Sequence, residues 1–431
     1  MMFYKETEFK ETLIGKIPKN WQVLKLKEVA DVDTGGNAPQ GEKYFKDGKH
    51  PFVRVQHFDG DKIYVDRWDM INDEAVRDYG LKLFPKDSIV FPKSGASINL
   101  EKRAMLPFAS YVVNHLCVLV PHSEVIDNRF LFYAMKKTSF SKSSAGTTLP
   151  YLNLEYISKV SVPVPPMDEQ EAIVGVLGVV DSVIAKTGEV IWKTERLKKG
   201  LMQTLLTRGI GHKEYKQTPI GEIPKEWKFG KLVDFSKTKD RPVQTGPFGA
   251  QLHASDYAED GVPLILIKNV FDGQIIDEDV PRVAEKKASE LTRYRLKAGD
   301  IVFSRVGSVG RAAVIRKHQE GWLVSGQMLR VRLENPEIDN EFLSYAIATN
   351  WFQKALASRT VGATRKSINT EILSNLPMVV PNLSEQRRIA NIILDVDKKL
   401  ELERKEKARL ERIKQGLMDL LLTGKIRVKV D

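Results

Sequence analysis

Two stretches of the chain hold apolar residues three and four positions apart for most of their length. The first runs through Ile173, Leu177, Val180, Ile184, Ile191, Leu197, Leu201 and Leu205, and the second through Ile389, Ile393, Val396, Leu400, Leu410, Ile413, Leu417 and Leu421. Such spacing lines one face of a helix. Each stretch follows a proline-containing extended run (VPVPP, VVPNL), opens with acid and glutamine (MDEQ, SEQ) and stops just before Gly209 or Gly424, which are the expected start and stop signals. A helix of about 40 residues reaches about 60 Å, long for a globular domain. Heptad-like spacing on one face asks for a partner helix along that length, and each stretch is the natural partner of the other. Residues 397–415 alternate in charge sign and suit burial on one side only.

Elsewhere the pattern changes to short β-branched runs bounded by Gly, Asp and Pro, which read as strands: PFVRV and PLILI, DSIVF and GDIVF. Residues 130–137 and 342–356 read as helices, with Asp127 and Asp339 as N-caps.

These pairings belong to one long repeat. IGKIPKNW at Ile14 returns as IGEIPKEW at Ile220, 206 positions later; IDNRFLFYA at Ile126 returns as IDNEFLSYA at Ile338, 212 later; KKGLMQTLLT at Lys198 returns as KQGLMDLLLT at Lys414, 216 later. Landmarks in fixed order at a slowly growing offset mark a duplication. The expected fold is therefore α+β: two globular α/β domains, residues 1–166 and 211–382, separated by long helices over 167–210 and 383–431. Chain order makes the helices antiparallel in a coiled coil. The halves diverge most over 35–120 and 240–330, so one scaffold carries two sets of loops.

Composition narrows the function. The 67 Lys and Arg against 56 Asp and Glu leave a formal +11 across 431 residues, which favours a polyanionic partner. The single Cys117 lies in an apolar run and rules out an intramolecular disulfide or a multi-thiolate zinc site. No apolar run approaches the roughly 20 residues of a membrane span, and the N-terminus lacks a signal peptide's apolar stretch, so no membrane partner and a cytoplasmic location are expected. There is no phosphate-binding GxxxxGK[ST], no GxGxxG after a strand, and no HxH, HExxH or HxxxH among the seven histidines, so neither cofactor nor metal is expected and the chain reads as non-catalytic. Two differing domains on a repeated scaffold suit the reading of two short sites on DNA. A coiled-coil scaffold that never touches DNA is the competing reading, and an RNA-binding protein a more distant one, because the aromatic stacking signatures for single strands are missing.

Over residues 13–426 the chain resembles the specificity subunits of type I restriction-modification systems. The resemblance is carried by the IGxIPxxW openings at Ile14 and Ile220, TGPFGAQL at Thr245, GTTLPYLN at Gly146, the VPxPPMDEQ and VVPNLSEQ helix starts and the two GLMxxLLT endings. GATRKSIN at Gly362 departs from the family's threonine-and-leucine run. The resemblance implies two target-recognition domains reading the halves of a bipartite, asymmetric double-stranded DNA site, with the helices setting the spacer. It also implies that the helices dock two modification subunits, which bring S-adenosylmethionine, and through the complex the restriction subunits. Ile173, Leu177, Val180, Ile184, Leu201, Ile389, Ile393, Val396 and Leu417 are then the candidate subunit-interface positions.

Base reading favours Arg, Lys, Asn and Gln, while Gly and Ser let backbone approach phosphates. The loops richest in them supply the candidate DNA contacts: Arg54, Gln56, His57, Lys93, Ser94, Asn99, Arg103 and Thr147 in the first half, and Lys268, Asn269, Arg305, Ser308, Arg311, Gln327, Arg365 and Lys366 in the second. Lys93 and Arg305 follow equivalent strands.

Overall fold

The computed structural model describes residues 2–58, 62–140, 151–239, 241–271, 273–307, 309–359 and 367–429. It forms two compact units, Met1–Gly188 together with Lys405–Asp431, and Glu189–Arg404. The two long helices span Met167–Arg208 and Leu383–Leu421. Each is shared between the units, so each unit is completed by helix from both copies of the repeat.

In unit 1 the four-stranded antiparallel sheet runs in the order Ala104–Met105, Ile89–Pro92, Leu116–Pro121, Ala30–Thr34. Unit 2 repeats it as Ala312–Val314, Ile301–Ser304, Met328–Val331, Val243–Thr245. A second sheet in each unit contains a parallel pair: His50–Val53 beside Ser110–Val112, and Val262–Ile265 beside Leu323–Val324. Their edges differ, since unit 1 adds Leu83–Phe84 and unit 2 adds Tyr257–Ala258.

The repeated openings are hairpins. Phe9–Thr12 pairs with Gly15–Pro18, and Tyr215–Thr218 with Gly221–Pro224. Gly15 (φ 97°) and Gly221 (φ 112°) take up the left-handed conformation at the turn that other residues resist. Thr12 and Thr218 each donate through Oγ1 to that glycine's carbonyl at 2.6 Å.

The tryptophan closing each opening meets the acid that starts each long helix. Trp21 Nε1 donates to Glu169 Oε2 at 2.9 Å, and Trp227 Nε1 to Glu385 Oε2 at 3.1 Å, all four residues being buried. The adjacent glutamines do matching work: Gln170 accepts from Asp127 N and donates to Pro165 O, while Gln386 accepts from Asp339 N and donates to Pro381 O. These buried polar side chains are satisfied, as burial demands, and they tie each opening hairpin and each helix cap to one helix start. The remaining partner differs. In unit 1 the Arg427 guanidinium pairs with Glu169, and its strand Ile426–Lys429 pairs antiparallel with Met2–Lys5. In unit 2 His212 Nε2 lies 2.8 Å from Glu385.

Asp127 caps the helix Asn128–Lys137 by accepting from Arg129 N and Phe130 N, and Asp339 accepts from Phe342 N. The second of these helices is not continuous. It is broken into Asn340–Ile347 and Asn350–Ser358 because the Thr349 side chain accepts from Phe352 N and starts a new helix. Unit 1's main core joins Trp21, Phe91, Phe130 and Tyr133 to Ile173, Leu177, Met418 and Leu421 of the long helices. Unit 2's core joins Trp227, Phe303 and Phe342 to Leu206, Ile389 and Ile393. Cys117 is buried, and burial pushes its thiol up.

Candidate nucleic-acid interface

In each unit the loops at one end of the sheets are stitched together by equivalent backbone bonds. After the strand Ile89–Pro92, Lys93 N donates to His115 O (2.9 Å) and Lys93 O accepts from Leu152 N (2.8 Å). After Ile301–Ser304, Arg305 N donates to Gln327 O (2.9 Å) and Arg305 O accepts from Ile368 N (3.0 Å). Single bridges link Ser94 to Tyr151 and Val306 to Ser367. The parallel strands end at the same place, because Val113 N donates to Val53 O and Ser325 N to Ile265 O. A glycine brings in a further loop: a Cβ on Gly35 would lie 1.9 Å from Val112 O, and one on Gly246 2.1 Å from Ser325 O.

This framework sorts the candidates. Lys93 is only 6% exposed, with Nζ 3.2 Å from Tyr151 Oη and 4.6 Å from the ring centroid, while Tyr151 itself is 59% exposed. Arg305 stands at the equivalent position, its guanidinium 5.0 Å from the exposed Phe248 ring. Arg311 is exposed and lies 6.0 Å from the exposed Phe271 ring. These are cation–π distances. Ser94 Oγ lies 2.7 Å from His115 Nδ1, and Gln327 is exposed. Gln56 and Lys268 are exposed on equivalent 3-10 turns, Val55–His57 and Ile267–Asn269.

His57 and Asn269 close those turns from within. His57 Nδ1 accepts from Arg54 N at 3.0 Å, and Asn269 Oδ1 accepts from Leu266 N at 3.1 Å; both side chains are buried. Burial holds the His57 imidazole below its ordinary value, against the pull of the Asp69 carboxylate, which keeps Nδ1 an acceptor. Arg54 pairs with Asp69 at 2.5 Å and lies over Phe45 and Phe52. Arg103 is 2% exposed: its guanidinium lies beside the stacked Phe91 and Phe140 rings, 5.0 and 5.1 Å from their centroids, and bonds to Glu101 at 2.6 Å and to Thr138 O. A base-reading type of residue thus serves the core. Asn99 is exposed on the 3-10 turn Ala96–Leu100. Thr147, Ser308, Arg365 and Lys366 lie outside the described residues.

The helix candidates also divide. Ile173 and Leu177 have no exposed surface in unit 1, nor have Ile389 and Ile393 in unit 2, so these four hold the chain's own cores. Val180, Ile184, Leu201, Val396 and Leu417 are half-buried. The inward stripe of the first helix takes in the buried Thr187 and Thr194, and Leu197, expected inward, is 55% exposed. Val179, Val183, Val190 and Trp192 also face outward.

Tyr151, His115, Phe248 and Phe271, which lie beside Lys93, Ser94, Arg305 and Arg311, were not among the residues singled out from the sequence. Tyr151 and Phe248 lay within GTTLPYLN and TGPFGAQL, the strings that carry the resemblance.

One scaffold is thus used twice, with different side chains at equivalent points. A family model described as type I restriction modification DNA specificity domain matches residues 18–191 and again residues 224–412. The type I restriction enzyme MjaVIII specificity subunit of Methanocaldococcus jannaschii is 30% identical over 100% of this chain and 98% of its own length. The EcoKI specificity subunit of Escherichia coli is 22% identical over 96% and 90%. The crystal structure of the type I restriction-modification S subunit from M. genitalium shares the fold, with a TM-score of 0.57 at 18% identity over 99% of this chain and 100% of that one. The chain belongs to the type I restriction-modification DNA specificity family. Among the described residues no helix is long and apolar enough to cross a membrane.

Proposed function

We propose that each unit reads one half of a bipartite duplex DNA site through the end at which its loops converge. Ser94, His115, Gln56 and Tyr151 form the reading face of unit 1, with the buried Lys93 supporting Tyr151 from beneath, and Arg305, Arg311, Gln327, Lys268 and Phe248 form that of unit 2. Asn99, Thr147, Ser308, Arg365 and Lys366 belong to the same loops by sequence and join the contact set. Arg54, His57, Arg103 and Asn269 act behind the face, holding its turns and core.

The observation that carries this reading is the pairing of positions: Gln56 with Lys268, Lys93 with Arg305, Ser94 with Val306, and His115 with Gln327 occupy equivalent points on one scaffold. Equal frames with unequal polar side chains present different donor and acceptor patterns, so the half-sites differ. The net positive charge supplies the phosphate attraction. The long helices set the spacer. Two modification subunits dock against their outward apolar residues, among them Val179, Val183, Trp192 and Leu197, and restriction subunits join through that complex.

Binding of the assembled complex to duplex DNA tests this. Affinity should fall steeply with salt, and Arg305→Ala should cost about 1–3 kcal/mol, in a base-dependent way if the contact is to a base. Salt-insensitive binding, with Arg305→Ala and Lys268→Ala both unchanged, would favour the scaffold reading instead.

A further inference from the structure

Where the short helices meet the long ones, each unit holds a polar cluster that DNA contact does not explain. In unit 1 Tyr133 donates through its hydroxyl to Asp181 Oδ2 at 2.5 Å, and Lys414 Nζ lies 2.5 Å from Asp181 Oδ1. In unit 2 Tyr345 donates to Asp397 Oδ2 at 2.9 Å, and Lys198 Nζ lies 2.6 Å from Asp397 Oδ1. Each ammonium also sits near its tyrosine ring, 5.7 Å away for Lys414 and 5.9 Å for Lys198. Tyr133 and Tyr345 are 212 apart, and Asp181 and Asp397, like Lys198 and Lys414, are 216 apart, the offsets of the repeat itself.

Each cluster joins three elements: the short helix Asn128–Lys137 or Asn340–Ile347, the long helix of the same copy, and the long helix of the other copy. Side-chain exposure is 15% and 11% for Lys414 and Asp181, and 29% and 26% for Lys198 and Asp397. The first pair is therefore largely withdrawn from water and the second partly so. Buried ion pairs add little net stability, and their best-attested use is to specify register. Register here needs specifying. The inward stripe becomes polar away from the cores, with Thr187 and Thr194 on the first helix and the half-buried Glu403 and Lys407 on the second. A heptad slip would present an equivalent stripe, since the spacing repeats. It would also part each aspartate from its lysine and strand both charges.

We propose that Tyr133–Asp181–Lys414 and Tyr345–Asp397–Lys198 are register clamps, positioning residues that fix where the long helices pack against each other in each unit and so which half-site spacing the protein accepts. The proposal rests on the reading that the helices set the spacer. The glutamate-to-arginine pair Glu195–Arg404, at 2.6 Å, joins the same two helices but is exposed at both ends and fixes register weakly.

The test uses the intact complex and a panel of duplexes carrying the native half-sites, found by sequencing the methylated positions of the source genome, with the spacer changed by one to about three base pairs, the last being the length of one heptad at 1.5 Å per residue. Unaltered protein should methylate the native spacing strongly and the others poorly. Asp181→Asn with Asp397→Asn should reduce that discrimination about tenfold or more, and the exchanged pairs Asp181→Lys with Lys414→Asp and Asp397→Lys with Lys198→Asp should restore it. Loss of stability alone would lower methylation at every spacing together. Unchanged discrimination in folded asparagine variants overturns the clamps. Should those variants fail to assemble, Tyr133→Phe with Tyr345→Phe is read on the same panel: broadened spacing supports the clamps, and unchanged spacing overturns them. If the unaltered protein accepts every spacing equally, the spacer reading itself falls and takes the clamps with it.

Discussion

Units 1 and 2 differ at one place in the core as sharply as they do on their reading faces. Unit 2 buries an ion pair, Asp300 with Arg332, whose side chains are 2% and 6% exposed and whose Arg332 Nε lies 2.8 Å from Asp300 Oδ1. At the equivalent positions beside the same two strands, unit 1 has Ser88 and Val120. The sheet order is the same in both. One backbone thus carries a buried charge pair in one unit and a small polar and apolar pair in the other, while its strands, hairpins and helix starts stay the same. The positions between them are free to differ, and the reading faces use that freedom.

The comparison can be broken one half at a time. Asp300→Ser leaves Arg332 buried without its carboxylate and should destabilise unit 2 by about 3–5 kcal/mol, whereas adding Arg332→Val, which installs unit 1's solution, should recover most of that loss. Denaturant unfolding of the single and double variants measures it; a double variant as unstable as the single one would mean that the units' cores are not interchangeable. Glu169→Gln should also cost unit 1 about 3 kcal/mol, because Arg427 loses its two-point carboxylate partner and keeps only Glu6. Glu385→Gln, which keeps one acceptor oxygen and so loses only part of the set from Trp227, His212 and Ile210 N, should cost only about 1 kcal/mol. Equal losses in the same unfolding experiment would contradict the asymmetry between the Arg427 and His212 solutions.

The smallest effect concerns the clamps. Burial and then the bond to Asp181 or Asp397 push the Tyr133 and Tyr345 phenols up from their ordinary value. An unfolded chain begins to lose these protons near pH 10, while the folded chain keeps them. The stability they contribute is therefore complete below about pH 10 and declines as pH rises toward the folded values. Tyr133→Phe with Tyr345→Phe should flatten that alkaline decline, measured as the denaturation midpoint between about pH 9 and 11. An unchanged slope would place the titration elsewhere.

Much of this architecture was legible because it is periodic or duplicated. The repeat exposed the matching openings and helix endings, and the caps Asp127 and Asp339 stood where their helices begin. What escaped depended on burial and on chain closure. Arg103, His57 and Asn269 have the chemistry of base readers, and only the fold reveals that one fills a core and two close turns. Counting apolar residues turned Leu197 inward, because the stripe includes Thr187 and Thr194, whose hydroxyls hide their helical phase. The break at Thr349 needed a side-chain cap within an otherwise helical pattern. Completion of unit 1 by residues 405–431 involves partners such as Arg427 and Glu169, 258 positions apart.

The central claim is that one scaffold reads two different half-sites with two different faces. Methylation by the intact complex carrying either Gln56→Ala or Arg305→Ala, measured on native sites with each base substituted in turn, tests it most directly. Gln56→Ala should relax base preference in one half-site only, and Arg305→Ala in the other half-site only. Relaxation of both half-sites by either variant, or of the same half-site by both, would contradict it.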